Sequence, residues 1–358
     1  MTAGMGGATP IVSILIPVFN AEATLAAAVA SVQAQTEQNW ELLLIDDASS
    51  DGSAALCDRL AAEDERIRVF HLPQNGGAGP ARNGAIAKAA GEYIFMMDAD
   101  DTVDADLLKT ALAALREHEV HTVVWGLTEE YVDEDGRVTR SIPVTAPETV
   151  ARTPDEVHET LLQLEARTLF GYGTNKLYRR DILQAHGILS PNEPLYEDFF
   201  FNVAYAPHIT SLCVLPSAPY HYYKRGEGLT ARFVPRYFEL SARRVETMWA
   251  LCREWGMTGE EPRRLLGNIY VRYILSALQR NCDPKAGMDR AARRAFLTTL
   301  YDEPLFCELV PHAAPEGAAA AILCRLIKGR HIALALAAGR VIYWVKTRLP
   351  ALFVRASH

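Results

Sequence analysis

Tyr93-Ile94-Phe95-Met96-Met97-Asp98-Ala99-Asp100-Asp101 is an apolar run that ends in three carboxylates. A short apolar run without polar alternation predicts a strand buried on both faces. The acids that follow repel one another and resist desolvation, so the cluster is costly unless something neutralises it. Two readings stay open on these residues alone. Mg2+ or Mn2+ would neutralise the cluster, since both take oxygen ligands, commonly one or two carboxylates plus substrate phosphates. Alternatively, Asp101 or Asp104 caps a helix over Ala105–Glu117.

Upstream, the chain alternates strand and helix patterns. Ile11–Ile16 and Trp40–Ile45 read as buried strands and Ile67–Phe70 as a third, with helices predicted over Ala21–Gln35, Ala54–Ala62 and Ala81–Ala90. Such alternation predicts a mostly parallel α/β sheet with right-handed crossovers, which binds ligands beyond the carboxyl ends of its strands. Phe19-Asn20, Asp46-Asp47 and Asp98-Ala99-Asp100 fall at three of those ends. Loop chemistry explains any one of them, but not all three on one rim. Gly76-Gly77-Ala78-Gly79 is neither a Walker loop nor a dinucleotide fingerprint, and by itself it reads as a flexible loop. Arg82, near the following helix start, suits a diphosphate contact or, equally, a surface ion pair.

The chain has 358 residues, enough for about two domains, with 22% charged residues and a net charge of −8, which argues against a general nucleic-acid binder. Its six cysteines lack metal-site spacing; five lie in apolar or helical patterns that suit buried thiols in a reducing compartment. Met1–Pro10 reads as a flexible N-terminus rather than a signal peptide, and no apolar run reaches transmembrane length. The expected location is cytoplasmic.

Several motifs then fall in register. Val12–Asn20, Ser31–Thr36 and Glu41–Ser53 are followed by Asn75, Ala81-Arg82-Asn83-Gly84, Gly91–Ile94 and Asp98-Ala99-Asp100-Asp101. Together they resemble the start of family 2 glycosyltransferases with the GT-A fold, and the acidic stretch resembles the DxD motif. The resemblance is close over about residues 11–125. It implies that Pro17 and Phe19 line a nucleobase pocket and that Asp47 accepts a hydrogen bond from a uracil ring N–H, favouring a UDP-sugar. It further implies that Asn75 and Arg82 contact the nucleotide and its phosphates. Asp98 would face the ribose and sugar and share the metal site. Asp100 would be the main ligand of Mn2+ or Mg2+, and Asp101 would hold the loop.

Downstream, Val120–Trp125 predicts a strand, Glu130–Val144 a hairpin around Asp133–Arg137, and Thr153-Pro154-Asp155-Glu156 a capping box. Asn175–Arg180 resembles the acceptor-side motif of capsule- and teichoic-type members of the family, and the Glu197-Asp198 pair resembles its catalytic-base motif. Inverting transfer needs a carboxylate to take the acceptor hydroxyl's proton, and Asp198 is assigned that role with Glu197 as helper. On the residues alone, both acids would also suit the first turn of a helix over Phe199–Ala206. Tyr220–Arg225 reads as a strand before Gly228-Leu229-Thr230. Lys224 or Arg225 would neutralise the leaving diphosphate. His221 is a further metal-ligand candidate, although a histidine between tyrosines is more commonly a packed polar residue.

Three helices are predicted over Tyr237–Trp255, Glu261–Arg280 and Asp289–Leu300. After Glu316 there is no acid, while Arg325, Lys328, Arg330, Arg340, Lys346, Arg348 and Arg355 are basic and flank apolar patches. That pattern suits a helix on an anionic membrane, with packing against the domain or a partner subunit in a homo-oligomer as the alternative.

The expected organisation is therefore residues 1–10 as a flexible lead, a GT-A catalytic domain over 11–232 and a helical region over 233–358. Within the catalytic domain, 11–125 is the nucleotide-sugar half and 126–232 the acceptor half. The expected activity is an inverting, metal-dependent glycosyltransferase of the hexosyl- or N-acetylhexosaminyl class. It would act in surface polysaccharide synthesis on a glycan or lipid-linked acceptor, at the inner face of the membrane. A sugar nucleotidyltransferase would need a Gly-rich basic loop after the first strand, where Pro17-Val18-Phe19-Asn20 stands. A non-catalytic nucleotide-sugar binder would not need the full carboxylate set. A dinucleotide-dependent dehydrogenase is excluded by the missing glycine fingerprint.

Overall fold

The computed structural model describes residues 9–193, 195–225 and 234–348. Most of the N-terminal lead, Gly228–Thr230 and Arg355 lie outside these. The chain divides into two compact units, Met1–Ala231 and Arg232–His358.

The first unit opens with β1 (Val12–Val18), α1 (Leu25–Gln33), β2 (Trp40–Asp46), α2 (Ser53–Glu63), β3 (Ile67–His71), α3 (Ala78–Lys88) and β4 (Tyr93–Met96). Then come β5 (Thr102–Val103), α4 (Leu107–His118), β6 (Thr122–Val124), β7 (Leu127–Val132), β8 (Val138–Val144), β9 (Thr149–Ala151) and α5 (Pro154–Ala166). It closes with β10 (Lys176–Arg179), α6 (Arg180–Ala185), α7 (Glu197–Tyr205), β11 (Leu212–Val214) and β12 (Tyr220–Lys224).

Eight strands form the central sheet in the order β3-β2-β1-β4-β10-β6-β11-β9. β10 and β9 run against the other six, so the sheet is mostly parallel. Two interior strands are mostly apolar because both their faces are covered: all of β2 is buried, as is β1 except at Pro17. A proline inside an interior strand would normally interrupt the ladder. Here the register between β1 and β4 runs only from Val12 to Leu15, so β1 has left that neighbour before Pro17. The chain moves outward from β1 through β2 to β3, then crosses to the other side for β4. A crevice opens where the strand order reverses.

A second sheet, β5-β12-β7-β8, contains the predicted hairpin, whose turn carries Gly136 at φ 78. The capping box forms as expected: Thr153 accepts from the Glu156 N–H, and Glu156 reaches back to the N–H of Thr153. The helix after the acidic cluster starts at Leu107 rather than Ala105, and neither Asp101 nor Asp104 caps it; both are bonded to the strand β12.

The second unit contains α8 (Tyr237–Glu254), α9 (Glu260–Arg280), α10 (Arg290–Asp302), α11 (Pro304–Leu309), α12 (Ala318–Lys328) and α13 (Ile332–Arg348). Among the described residues no helix is long and apolar enough to cross a membrane. All six cysteines are free thiols. Four are buried rather than five, because Cys282 is half-covered and Cys307 exposed.

Candidate active site

A cleft of 620 Å³ lies at the carboxyl ends of β1, β2 and β4. Pro17 and Phe19 come from the end of β1, Asp47 from the end of β2, and Asp98 and Asp100 from the end of β4. Asn75 and Arg82 enter from the loop before α3 and from α3 itself, Glu197 from the start of α7, and Arg225 from beyond β12. Residues up to 208 positions apart in the sequence thus share one hollow. Phe19 is 51% exposed there, an open ring face of the kind that stacks on a flat base. Three non-glycine residues beside the cleft have positive φ: Asn20 at 50°, Ala48 at 55° and Tyr196 at 65°. Each immediately follows or precedes a cleft residue, and such backbone persists only where surrounding contacts hold it.

The glycine-rich loop is not loose. Both carboxylate oxygens of buried Asp47 accept backbone N–H groups, from Gly76 and Gly77, each at 2.8 Å, and the Asn75 amide donates to the Asp47 carbonyl. Gly77 sits at φ 88, where a side chain would be strained, and α3 begins at once after it. A carboxylate oxygen retains a lone pair after accepting one bond. The arrangement therefore leaves Asp47 able to accept from a ligand.

Arg82 is the centre of the carboxylate arrangement. It is 3% exposed. Its Nη1 donates to Glu197 Oε1 at 2.8 Å and to Asp198 Oδ1 at 2.6 Å, while Nη2 donates to Asp98 Oδ1 at 2.8 Å. The three acids raise its already high pKa against the effect of burial. The sequence suggested a phosphate contact or a surface ion pair. Arg82 is neither a surface residue nor uncommitted: its forked end is taken up by protein acids, and only its buried Nε lacks a partner. Burial pushes the Glu197 carboxyl up, opposed by Arg82.

Asp198 is also held from the other side. Its Oδ2 accepts the Gly173 N–H at 3.1 Å. Glu197 and Asp198 do occupy the first turn of α7, but they are bound to Arg82 as well. The loop carrying Gly173 is fastened by residues whose sequence signal had been assigned to the acceptor. Asn175 is fully buried and donates to the carbonyls of Trp125 and Leu169; Lys176 Nζ donates to those of Phe170 and Tyr172 and to Asn175 Oδ1. Tyr178 and Asn202 add bonds to Gly173, Phe170 and Tyr172. Asn175 and Lys176 are therefore buried supports, not an acceptor-facing surface. Burial lowers the Lys176 pKa to about 7.

The acids of the opening stretch separate by environment. Asp100 is exposed in the cleft and pairs with Arg225 Nη1 at 3.1 Å. Asp98 has one oxygen on Arg82 and a backbone N–H bonded to the Tyr220 hydroxyl. Asp101 is 1% exposed and accepts from the Tyr220 hydroxyl at 2.7 Å and the Tyr223 N–H at 3.0 Å. It ties β4 to β12, and burial together with the charges of Asp98 and Asp100 raises its pKa to about 8.

His221 does not join Asp98 and Asp100. Its ring nitrogens bond Glu130 at 2.9 Å and Asp104 at 3.1 Å, so the metal-ligand candidacy is corrected to that of a cross-strand polar link. Lys224 pairs with Glu129 at 2.6 Å and is not among the residues lining the cleft, which leaves Arg225 as the cleft cation of the two. Among the described residues no three His, Cys, Asp or Glu side chains form a self-sufficient metal site. Two neighbouring carboxylates opening on a cleft still fit a cation that draws its other ligands from a bound diphosphate.

Residues 13–187 match Glycosyl transferase family 2. These residues form a family 2 glycosyltransferase domain. This glycosyltransferase is 26% identical over 341 residues to EpsJ of Bacillus subtilis (strain 168), described as an uncharacterized glycosyltransferase, covering 94% of this chain and 95% of that one. It is 36% identical over 126 residues to the glycosyltransferase GlyG of Streptococcus pneumoniae serotype 4, covering 35% and 42% of the two chains. A third relative is the poly(ribitol-phosphate) beta-N-acetylglucosaminyltransferase TarS of Staphylococcus aureus, 26% identical over 220 residues, or 60% of this chain and 36% of TarS. The crystal structure of TarS residues 1–349 in complex with UDP-GlcNAc superimposes with a TM-score of 0.60 at 19% identity, over 92% of this chain and 90% of that one. That likeness establishes the GT-A-like fold of this glycosyltransferase. The nucleotidyltransferase and binding-only readings fall with the family match.

Proposed function

We propose that this glycosyltransferase moves a sugar, with inversion, from a UDP-sugar to a hydroxyl of a glycan or lipid-linked glycan in surface polysaccharide synthesis. The observation that carries the reading is the cleft itself, which gathers Phe19, Asp47, Asp98, Asp100 and Glu197 at one switch point. Phe19 and Pro17 flank the base, and Asp47 accepts its ring N–H. The UDP-GlcNAc complex of TarS supports this donor class.

Asp100, with Asp98, would hold Mn2+ or Mg2+ together with the donor's diphosphate. The ion's contribution is to neutralise charge on the departing diphosphate. Arg225, beside Asp100, adds a second positive charge at that end.

The acceptor oxygen attacks the anomeric carbon as the carbon–oxygen bond to the diphosphate breaks, and the acceptor proton passes to Asp198. Arg82 and the Gly173 N–H hold the two oxygens of that carboxylate in place, and Glu197 orients the acceptor from the cleft wall. The C-terminal basic helices bring the enzyme to a membrane that carries its acceptor.

The test is a transfer assay over UDP-, GDP- and dTDP-sugars with and without Mn2+. Activity confined to a UDP-sugar and abolished by EDTA is the expected result. Asp198→Asn should lower kcat by about 10²–10⁴ with UDP affinity kept. Unchanged turnover in that variant, with loss in Glu197→Gln instead, moves the base to Glu197.

A further inference from the structure

We infer that the groove between α10 and α13 binds the phosphate headgroup of an anionic lipid while the outer face of α13 lies in the bilayer interface. This rests on the membrane attachment proposed above and gives it a site. The groove has a volume of 190 Å³ and is lined by Arg290, Arg293, Arg294 and Arg340, with Ala333 and Leu336. Arg293 is fixed by two bonds to the Met288 carbonyl, at 3.1 and 2.8 Å. Arg290, Arg294 and Arg340 are exposed, and among the described residues none of them forms an ion pair with a carboxylate. Four guanidinium groups around one hollow repel one another. Two of them, Arg290 and Arg293, also occupy the first turn of α10, where the helix dipole disfavours cations. A phosphate relieves both costs, and guanidinium forks match its oxygens.

The surface beside the groove identifies the source of the phosphate. On α13, Leu334, Val341 and Trp344 are 53%, 60% and 56% exposed. Their spacings of seven and three residues place them on one face, opposite buried Ala335 and Gly339. Arg340 and Ala333 lie at the border of that face and line the groove. Large apolar residues and a tryptophan bordered by arginines, in a stretch without acids after Glu316, complement a negatively charged bilayer surface. A free phosphate would leave the apolar stripe unexplained.

The full chain is sedimented with vesicles of phosphatidylcholine alone and of phosphatidylcholine with phosphatidylglycerol. Binding only to the anionic vesicles, weakened by salt, is expected. Arg294→Gln/Arg340→Gln should weaken it about tenfold or more. Trp344→Ser should weaken it too, and both variants should keep the wild-type melting temperature and UDP affinity. Anionic-vesicle binding that survives the double variant overturns the groove and leaves membrane attachment standing. No wild-type binding overturns both, while the UDP-sugar transfer assay stays independent of either result. Protection of the fold by inorganic phosphate without vesicle binding overturns the lipid assignment.

Discussion

Arg82 Nη1 lies 2.6 Å from Asp198 Oδ1, although 116 residues separate the two in the chain. The same guanidinium reaches Glu197 and Asp98, so one buried cation joins the carboxylates at the end of β4 to those at the start of α7. Arg82→Met would leave three acids packed together without their counter-charge. The expected cost is about 3 kcal/mol, below the fully buried case because the acids are partly exposed. Arg82→Lys should recover part of the stability but little turnover, since an ammonium lacks the planar fork. Urea unfolding with transfer assays checks both, and a stable, active Arg82→Met enzyme would reject the linking role.

Gly173 tests the positioning of Asp198 without touching the acid. A Cβ at residue 173 would stand 2.9 Å from the Asp198 Cγ and 3.0 Å from its Oδ2. Gly173→Ala must therefore displace the carboxylate that the Gly173 N–H now holds. The expected outcome is a fall in kcat of about tenfold to a hundredfold with UDP affinity unchanged. Equal kcat in variant and wild type would show that the carboxylate need not sit there.

Asp100 and Asp101 are neighbours with opposite expected phenotypes. Asp100→Asn should remove Mn2+ stimulation of UDP binding and leave the melting temperature within about 1 °C, because surface changes rarely exceed ±0.5 kcal/mol. Asp101→Ala breaks the tie to Tyr220 and Tyr223 and should lower stability by about 1–3 kcal/mol. Calorimetric titration of UDP with Mn2+, alongside thermal melting, separates the two. A destabilised Asp100→Asn with intact metal dependence would reverse the assignment.

Lys176 should give the fold a pH dependence of definite sign. Its pKa is about 7 when folded and near the ordinary ~10.4 when unfolded. Between those values the unfolded chain keeps a proton that the folded chain has released, so stability rises with pH. Below pH ~7 both states are protonated and the full burial penalty stands. Lys176→Met removes the titration. The difference in unfolding free energy, wild type minus variant, should be flat below pH ~7 and climb by up to about 1.4 kcal/mol per pH unit between pH ~7 and ~10. Parallel curves would show that the lysine stays charged inside the fold.

Much of the site is legible in the sequence. Apolar runs with acids at their carboxyl ends predict buried strands and a shared rim, and the structure places Phe19, Asp47 and Asp98 on it. Other assignments needed the third dimension. His221 has the chemistry of a metal ligand, but the register of β12 with β5 and β7 sets it between Asp104 and Glu130. Lys224 and Arg225 are consecutive cations, but Lys224 ends β12 beside Glu129 while Arg225, just beyond the strand, meets Asp100. Asn175 and Lys176 resemble part of an acceptor-side motif, but their partners are backbone carbonyls of a loop that no local pattern reveals.

The order of strands and helices, the parallel sheet and the acidic rim follow from hydrophobic period and strand-end chemistry, which act over a few residues and are written locally. Which carboxylate faces a ligand, which is buried as a tie and which is held by Arg82 depends on residues brought together from distant segments. Those environments, made by chain crossing and packing rather than by neighbours in the chain, distinguish Asp98, Asp100, Asp101, Glu197 and Asp198, five acids that the sequence writes in much the same way.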